Sequence, residues 1–220
     1  SRDILADLLW SEFSNQQARN NLRYTLRDLR QCVEDYLRIT TQTVGFNRQA
    51  PYWLDVEVLR TALSQKEPFN PQAVQQALAL FQGEFLAGFS VRNAPVFEEW
   101  LTQQRTEHHL LAIQGFYRLA DYQLSQAASA AGLGATRRLL QLDPYHEAGH
   151  RLQMRLFIQS GLPHLAVEQY QQLQRLLNDT LQVEPEGETQ HLYEQIRSGK
   201  SLGDLPAQLT MLPISQHLPA

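Results

Sequence analysis

Hydrophobic positions recur at helical spacing along most of this chain, and the clearest case lies near its start. In NQQARNNLRYTLRDLRQCV, Leu22, Leu26, Leu29 and Val33 fall at i, i+4, i+7 and i+11, an apolar stripe, while Gln16, Asn20, Arg23 and Arg27 take the opposite face. The preceding SRDILADLLW opens on Ser1, a residue suited to N-capping. It puts Asp3 in the first turn and lays Ile4, Leu5, Leu8 and Leu9 along one side, which predicts a short amphipathic helix. Residues 11–15 form a polar break of turn length, so the order is helix, turn, helix. From 36 to 44 the pattern turns extended and β-branched, YLRITTQTV, and Gly45 and Asn47 supply turn chemistry before Arg48, which predicts a wing.

Beyond residue 53 the pattern is helical with very little strand. Asp55 caps a helix over 55–63, Pro68 to Pro71 interrupts, and a helix resumes over 72–81 with Ala73, Ala77 and Leu80 on one side. Gly83 and Gly88 bracket a turn. Pro95 suits the first turn of a long helix reaching about residue 128, whose Phe97, Trp100, Leu101, Leu110, Leu111, Phe116, Leu119 and Leu124 read as core. A helical-hairpin repeat follows: 114–128 with 131–142, ended by Asp143-Pro144, and 147–160 with 163–181, ended by Glu184-Pro185. Each pair looks like a tetratricopeptide unit, although the landmarks lie further apart than the roughly 34 residues of the standard repeat. Such pairs stack to bury their apolar faces and leave a concave surface for partners. Residues 199–220, with Gly203, Pro206, Pro213 and Pro219, read as a linker.

Composition narrows the function classes. No apolar run is long enough to cross a bilayer and no signal-peptide pattern opens the chain, so the expectation is cytoplasmic, with no membrane partner. The net charge of −4 is not that of a uniformly basic nucleic-acid coat. Charge is uneven, however: Arg19, Arg23, Arg27 and Arg30 meet only Asp28 between residues 15 and 31. Arginine forks suit phosphates and guanine edges, and Asn or Gln amides suit adenine, so this ridge is chemically apt for the major groove of double-stranded DNA. The candidate DNA-binding set is Gln16, Asn20, Arg23, Arg27 and Arg30 on the helix, with Arg38 and Arg48 beside the wing for flanking phosphates. A plain solvated helix face accounts for the same residues. Cys32, the single cysteine, is expected as a buried or half-buried thiol.

The helix, turn, helix and Thr-rich extended segment together resemble the last two helices and wing of the winged-helix domain in antibiotic-regulatory-protein type transcription activators. WLDVEVLRTAL, FQGEFLAGF, FEEWLTQQR, LLQLDPYHEAGHRLQMRLF, AVEQYQQLQRLL and VEPEGETQHLYEQI resemble, in order, the all-helical bacterial transcriptional activator domain that follows it. The resemblance implies a mainly α chain: a partial winged-helix domain at 1–50, a tetratricopeptide-like helical repeat domain at 51–198, and the linker. It implies a DNA-binding regulator whose repeats mediate homodimerisation or contact RNA polymerase or an effector. In the family a small sheet and a first helix precede these elements, so the Ile4, Leu8 and Leu9 face is expected to lack its usual partner.

One motif suggests catalysis. His146-Glu147-Ala148-Gly149-His150 fits H-E-x-x-H, with Glu168 downstream as a third ligand. It falls where the repeat begins a helix after Asp143-Pro144, and no strand-rich cleft accompanies it, so coincidence is the expectation. His108 and His109 read as solvated or half-buried, and Ala131 to Gly134 as an interhelical turn. No phosphate loop, dinucleotide fingerprint or Ser-His-Asp pattern is present, so the reading is a non-enzyme without cofactor or metal. The remaining alternative is a helical-repeat interaction scaffold that reads no DNA.

Overall fold

The computed structural model describes residues 1–64 and 69–199; most of the expected linker lies outside the described residues. The fold is mainly α, and it divides into two compact units, Ser1–Leu119 and Ala120–Ala220.

The first unit begins with α1 (Arg2–Trp10) and α2 (Asn15–Val33). Ser1 caps α1 as expected, its Oγ accepting the Ile4 N–H at 3.2 Å. Ser14 and Gln17 form a capping box that fixes where α2 starts. Ala6 of α1 packs on Ala18, Leu22 and Leu26 of α2, and Ile39 and Val44 of the wing close this small core. Each buried leucine contributes about 1.5–3 kcal/mol over an exposed one. The apolar stripe is shorter than its sequence: Leu29 and Cys32 are exposed. Nine-residue α1 is about half the length of α2, so the last turns of α2 outrun the helix that covers the first. This corrects the expectation of a buried or half-buried Cys32.

After a 3-10 turn at Glu34–Tyr36 come β1 (Leu37–Ile39) and β2 (Val44–Phe46), antiparallel with Arg38 opposite Gly45. The reversal lies at residues 40–43. There the Thr40 Oγ1 accepts the Thr43 N–H at 2.9 Å and the Gln42 N–H at 3.2 Å. Gly45, expected in a turn, is therefore a strand residue; Asn47 does precede a turn, its Oδ1 accepting the Gln49 N–H. The backbone N–H of Arg2 donates to Gln42 O (2.9 Å) and its guanidinium to Thr40 O (3.2 Å), which ties α1 to the wing turn.

The unit continues with α3 (Asp55–Ser64), α4 (Pro71–Leu80) and the first part of α5 (Pro95–Ser125). Asn70 caps α4 and Pro71 opens it; the buried face is Val74, Ala77 and Leu78 rather than Ala73, Ala77 and Leu80. Between α4 and α5, residues 81–94 are held by Arg105, whose guanidinium donates to Phe85 O (3.0 Å) and Leu86 O (2.9 Å). Ala94, Phe97 and Leu101 form a core cluster with Phe85 and Val91, and Leu8 and Leu9 of α1 pack into it. The apolar face of α1 is thus only partly bare: Leu8 and Leu9 have found a partner within the chain, while Ile4 is 67% exposed. Phe97, Leu101, Phe116 and Leu119 are core, whereas Trp100 and Leu110 lie at the surface.

The second unit holds the end of α5 with α6 (Ser129–Leu142), α7 (Glu147–Gln159), α8 (Pro163–Leu181) and α9 (Gly187–Arg197). Short connections make consecutive helices antiparallel hairpins, the repeat architecture expected. Residues 131–134 are helical, not an interhelical turn: α6 starts at Ser129, and Gly132 lies against Leu156 of α7. Met154, Ala166, Tyr170 and Leu192 join α7, α8 and α9 in one core, with Tyr170 and Tyr193 stacked 4.0 Å between centroids.

Candidate nucleic-acid interface

The capping box of α2 decides which residues its first turn exposes. With Ser14 as N-cap, Gln16, Asn20, Arg23, Arg27 and Arg30 recur at spacings of four and three residues, a single stripe about 21 Å long. Gln16, Arg23, Arg27 and Arg30 are exposed and Asn20 is half-buried, while Ala18, Leu22 and Leu26 anchor the helix by another face. Among the described residues no ion pair or hydrogen bond engages the Arg27 or Arg30 side chain; the Arg23 guanidinium lies over the Tyr24 ring, 5.4 Å from its centroid. Arg19, the fourth arginine of the helix, is instead paired with Asp3 at 2.9 Å.

The two wing arginines are exposed but internally engaged. Arg38 Nε donates to Asn47 Oδ1 at 3.0 Å and its Nη2 to Gln49 Oε1. Arg48 pairs with Glu57 of α3 at 3.3 Å, and Glu57 also accepts the Tyr52 hydroxyl at 3.0 Å. That hydroxyl is held above its ordinary pKa, first by its hydrogen bond to Glu57. Tyr52 meets Phe46 edge-on at 4.7 Å, so these contacts fasten the base of the wing to α3. The helix part of the sequence set therefore forms one stripe on α2, four of its five residues exposed, while Arg38 and Arg48 are already bound to neighbours of their own. Asn47, Gln49 and Glu57, which hold those arginines, were not marked by any sequence period, because they belong to irregular or differently patterned segments.

The H-E-x-x-H residues are spent on helix packing. His146 stands before α7 as its N-cap, its Nδ1 accepting the Gly149 N–H at 3.0 Å. His150 Nε2 donates to Pro144 O at 2.9 Å, which leaves Nδ1 to accept from Gln169 Nε2 at 2.7 Å. Glu147 accepts the Glu186 N–H at 2.9 Å and the Thr189 hydroxyl at 2.6 Å. Arg151 completes the clasp between α7 and α9 by donating to Glu186 (2.7 Å) and Thr189 (2.8 Å). Glu168 is exposed on α8. A zinc ion would have to displace the cap bond of His146 and the Gln169 bond of His150. His108, expected solvated or half-buried, is buried at 4% exposure, stacked on Phe85; His109 is half-buried.

Comparison with known proteins gives this arrangement a family. Residues 56–197, well over half of the chain, match the bacterial transcriptional activator domain. Among solved structures the chain is similar to Mycobacterium tuberculosis EmbR, determined in complex with a low affinity phosphopeptide. That likeness has a TM-score of 0.64 at 18% identity and covers 92% of this chain and 55% of that one. At this identity it is a likeness of fold, and the chain spans about half of the length of EmbR. No curated protein matches by sequence. With α1, α2 and the two-stranded wing ahead of a helical repeat region matched over residues 56–197, the chain belongs to the bacterial transcriptional activator domain family of transcription regulators.

Proposed function

We propose that this chain belongs to a cytoplasmic transcriptional activator that reads double-stranded DNA with α2. In this reading Arg23 and Arg27 meet guanine edges or phosphates, and Gln16 and Asn20 meet base edges. Arg30 follows the backbone, with Arg38 and Arg48 at the flanking phosphates. The observation that carries the reading is the stripe itself: five polar side chains in register on a helix anchored by another face, three of them exposed arginines with no ion pair among the described residues. A guanidinium without an internal partner binds a phosphate or base without first giving up a contact. The helical second unit supplies the surface for RNA polymerase, another protein or a second copy. No described helix is long and apolar enough to cross a membrane.

The test is a gel-shift titration with the intact protein on duplexes selected from a random-sequence library. Arg23→Ala or Arg27→Ala should weaken binding by about 1–3 kcal/mol where a base contact is lost, or lower the salt slope by about 0.9 where a phosphate contact is lost. Arg48→Ala should cost less, because the free protein already holds that guanidinium on Glu57. If the double variant of Arg23 and Arg27 binds with unchanged affinity and slope, α2 is not the reading helix. If the intact protein selects no duplex, the interaction scaffold replaces the activator.

A further inference from the structure

Away from α2, the first unit contains a cleft of about 240 Å³ between the start of α3, the end of α4, residues 81–86 and α5. Its walls are largely apolar, with Val56, Leu59, Leu80, Phe81, Phe85 and Leu86 contributing, while Asp55 and Glu84 bring negative charge. The polar group in its lining that stands out is His108. This imidazole is 4% exposed and stacks on Phe85, centroids 4.8 Å apart and planes 11° from parallel. Its Nδ1 lies 2.6 Å from Gln104 O, and since a carbonyl can only accept, Nδ1 carries the hydrogen. With the hydrogen on Nδ1, Nε2 presents a lone pair, buried and without a hydrogen-bond partner among the described residues. A buried acceptor left unmatched costs free energy that a donor would recover.

The wall beside His108 is built rather than loose. Arg105 fixes the Phe85 and Leu86 carbonyls, and it also lies 3.5 Å from Glu84. Leu86 is held at φ +48°, a left-handed conformation costly for a branched side chain and sustained by those contacts. Phe85 is shared: one side meets His108, and the residue also belongs to the cluster that seats Leu8 and Leu9 of α1.

We infer that this cleft binds a small, uncharged, ring-containing molecule that displaces the side chains covering His108 Nε2 and donates one hydrogen bond to it. Apolar walls select the ring, the lone pair selects an N–H or O–H, and Asp55 and Glu84 reject anions. The volume is below the roughly 300 Å³ at which drug-sized sites begin, which limits the ligand to one or two rings. This goes beyond DNA reading and stands whether or not α2 binds a duplex.

The test uses the full chain and three probes: indole, its isostere benzofuran, which lacks the N–H, and the anion benzoate. Nitrogen-15 NMR of His108 follows Nε2 directly. Indole should shift that resonance saturably with a millimolar or tighter dissociation constant, benzofuran should bind about tenfold more weakly, and benzoate should not compete. His108→Phe, checked by its thermal melt, should make indole and benzofuran equal. Absence of a saturable Nε2 shift with indole overturns the inference, as does equal binding of benzofuran to the unmodified protein or preference for benzoate. The isostere comparison needs no variant, so a misfolded His108→Phe leaves the decision intact.

Discussion

The same substitution made two residues apart in α6 should move stability in opposite directions. Gly132 and Gly134 both lie inside Ser129–Leu142, where replacing glycine by alanine gains about 0.8–1 kcal/mol of helix propensity. At Gly134, which is exposed, a β-carbon meets nothing within 4 Å, so Gly134→Ala should realise that gain. At Gly132 a β-carbon would stand 2.6 Å from Leu156 Cδ2, 3.1 Å from Cδ1 and 3.4 Å from Cγ. Leu156 is fully buried, so its whole isobutyl group must give way inside packed core. Overpacking of this kind costs about 1–3 kcal/mol, which outweighs the propensity gain and leaves Gly132→Ala about 1 kcal/mol less stable than the parent. Urea unfolding followed by circular dichroism, at unchanged m-value, measures both variants. Should Gly132→Ala prove as stabilising as Gly134→Ala, the close approach of α6 and α7 is not as described.

The other predictions concern pH and the start of α2. Burial pushes the His146 and His150 imidazoles below their ordinary range. The unfolded chain takes up these protons near pH 6.5, about the free-imidazole value, and the folded chain only at lower pH. Stability is therefore full above that pH and falls below it, by at most about 1.4 kcal/mol per pH unit for each histidine. Urea melts across this range should show the fall and His150→Gln should flatten it; a flat profile in the parent refutes the buried neutral pair. Half-buried Asp121, whose carboxyl burial raises above 3.8, works in the opposite direction at lower pH. Ser14→Ala should destabilise the fold by about 1 kcal/mol through loss of the α2 cap, with Ser14→Asp restoring it in the same melts.

Much of this architecture was legible because helical period and capping chemistry act locally. Ser1 as a cap, the stripe on α2 and the break at Asp143-Pro144 each follow from a few adjacent residues. What escaped depended on partners distant in sequence. Leu29 carries the right period for burial and Cys32 the residue type, yet α1 ends too soon to cover them. Residues 81–94 have no period at all, because Arg105, some twenty positions away, organises them through their carbonyls. His108 was expected, like His109, to be solvated or half-buried; it is buried, and the ring of Phe85 from that irregular segment stacks on it. The wing was placed correctly but its reversal was not, since threonine hydroxyls at 40 and 43 closed a turn that glycine was expected to make. Of the candidate interface, the α2 stripe was readable; that Arg38 and Arg48 are already held by Asn47, Gln49 and Glu57 was not.

The double life of α1 sets where such a regulator can be cut and recombined. Its Leu5 and Ala6 belong to the packing with α2, whereas Leu8 and Leu9 are lodged among side chains contributed by residues 85–101. A chimera joined at residue 50, just ahead of the span matched to the activator-domain family, bares two leucines on one fragment and uncovers Phe97 on the other. An exchange that carries residues 1–119 as one cassette keeps both contacts. Modularity in this chain is thus a property of packed units, and shuffling that respects α1 has to move the start of the helical region together with α1 and α2.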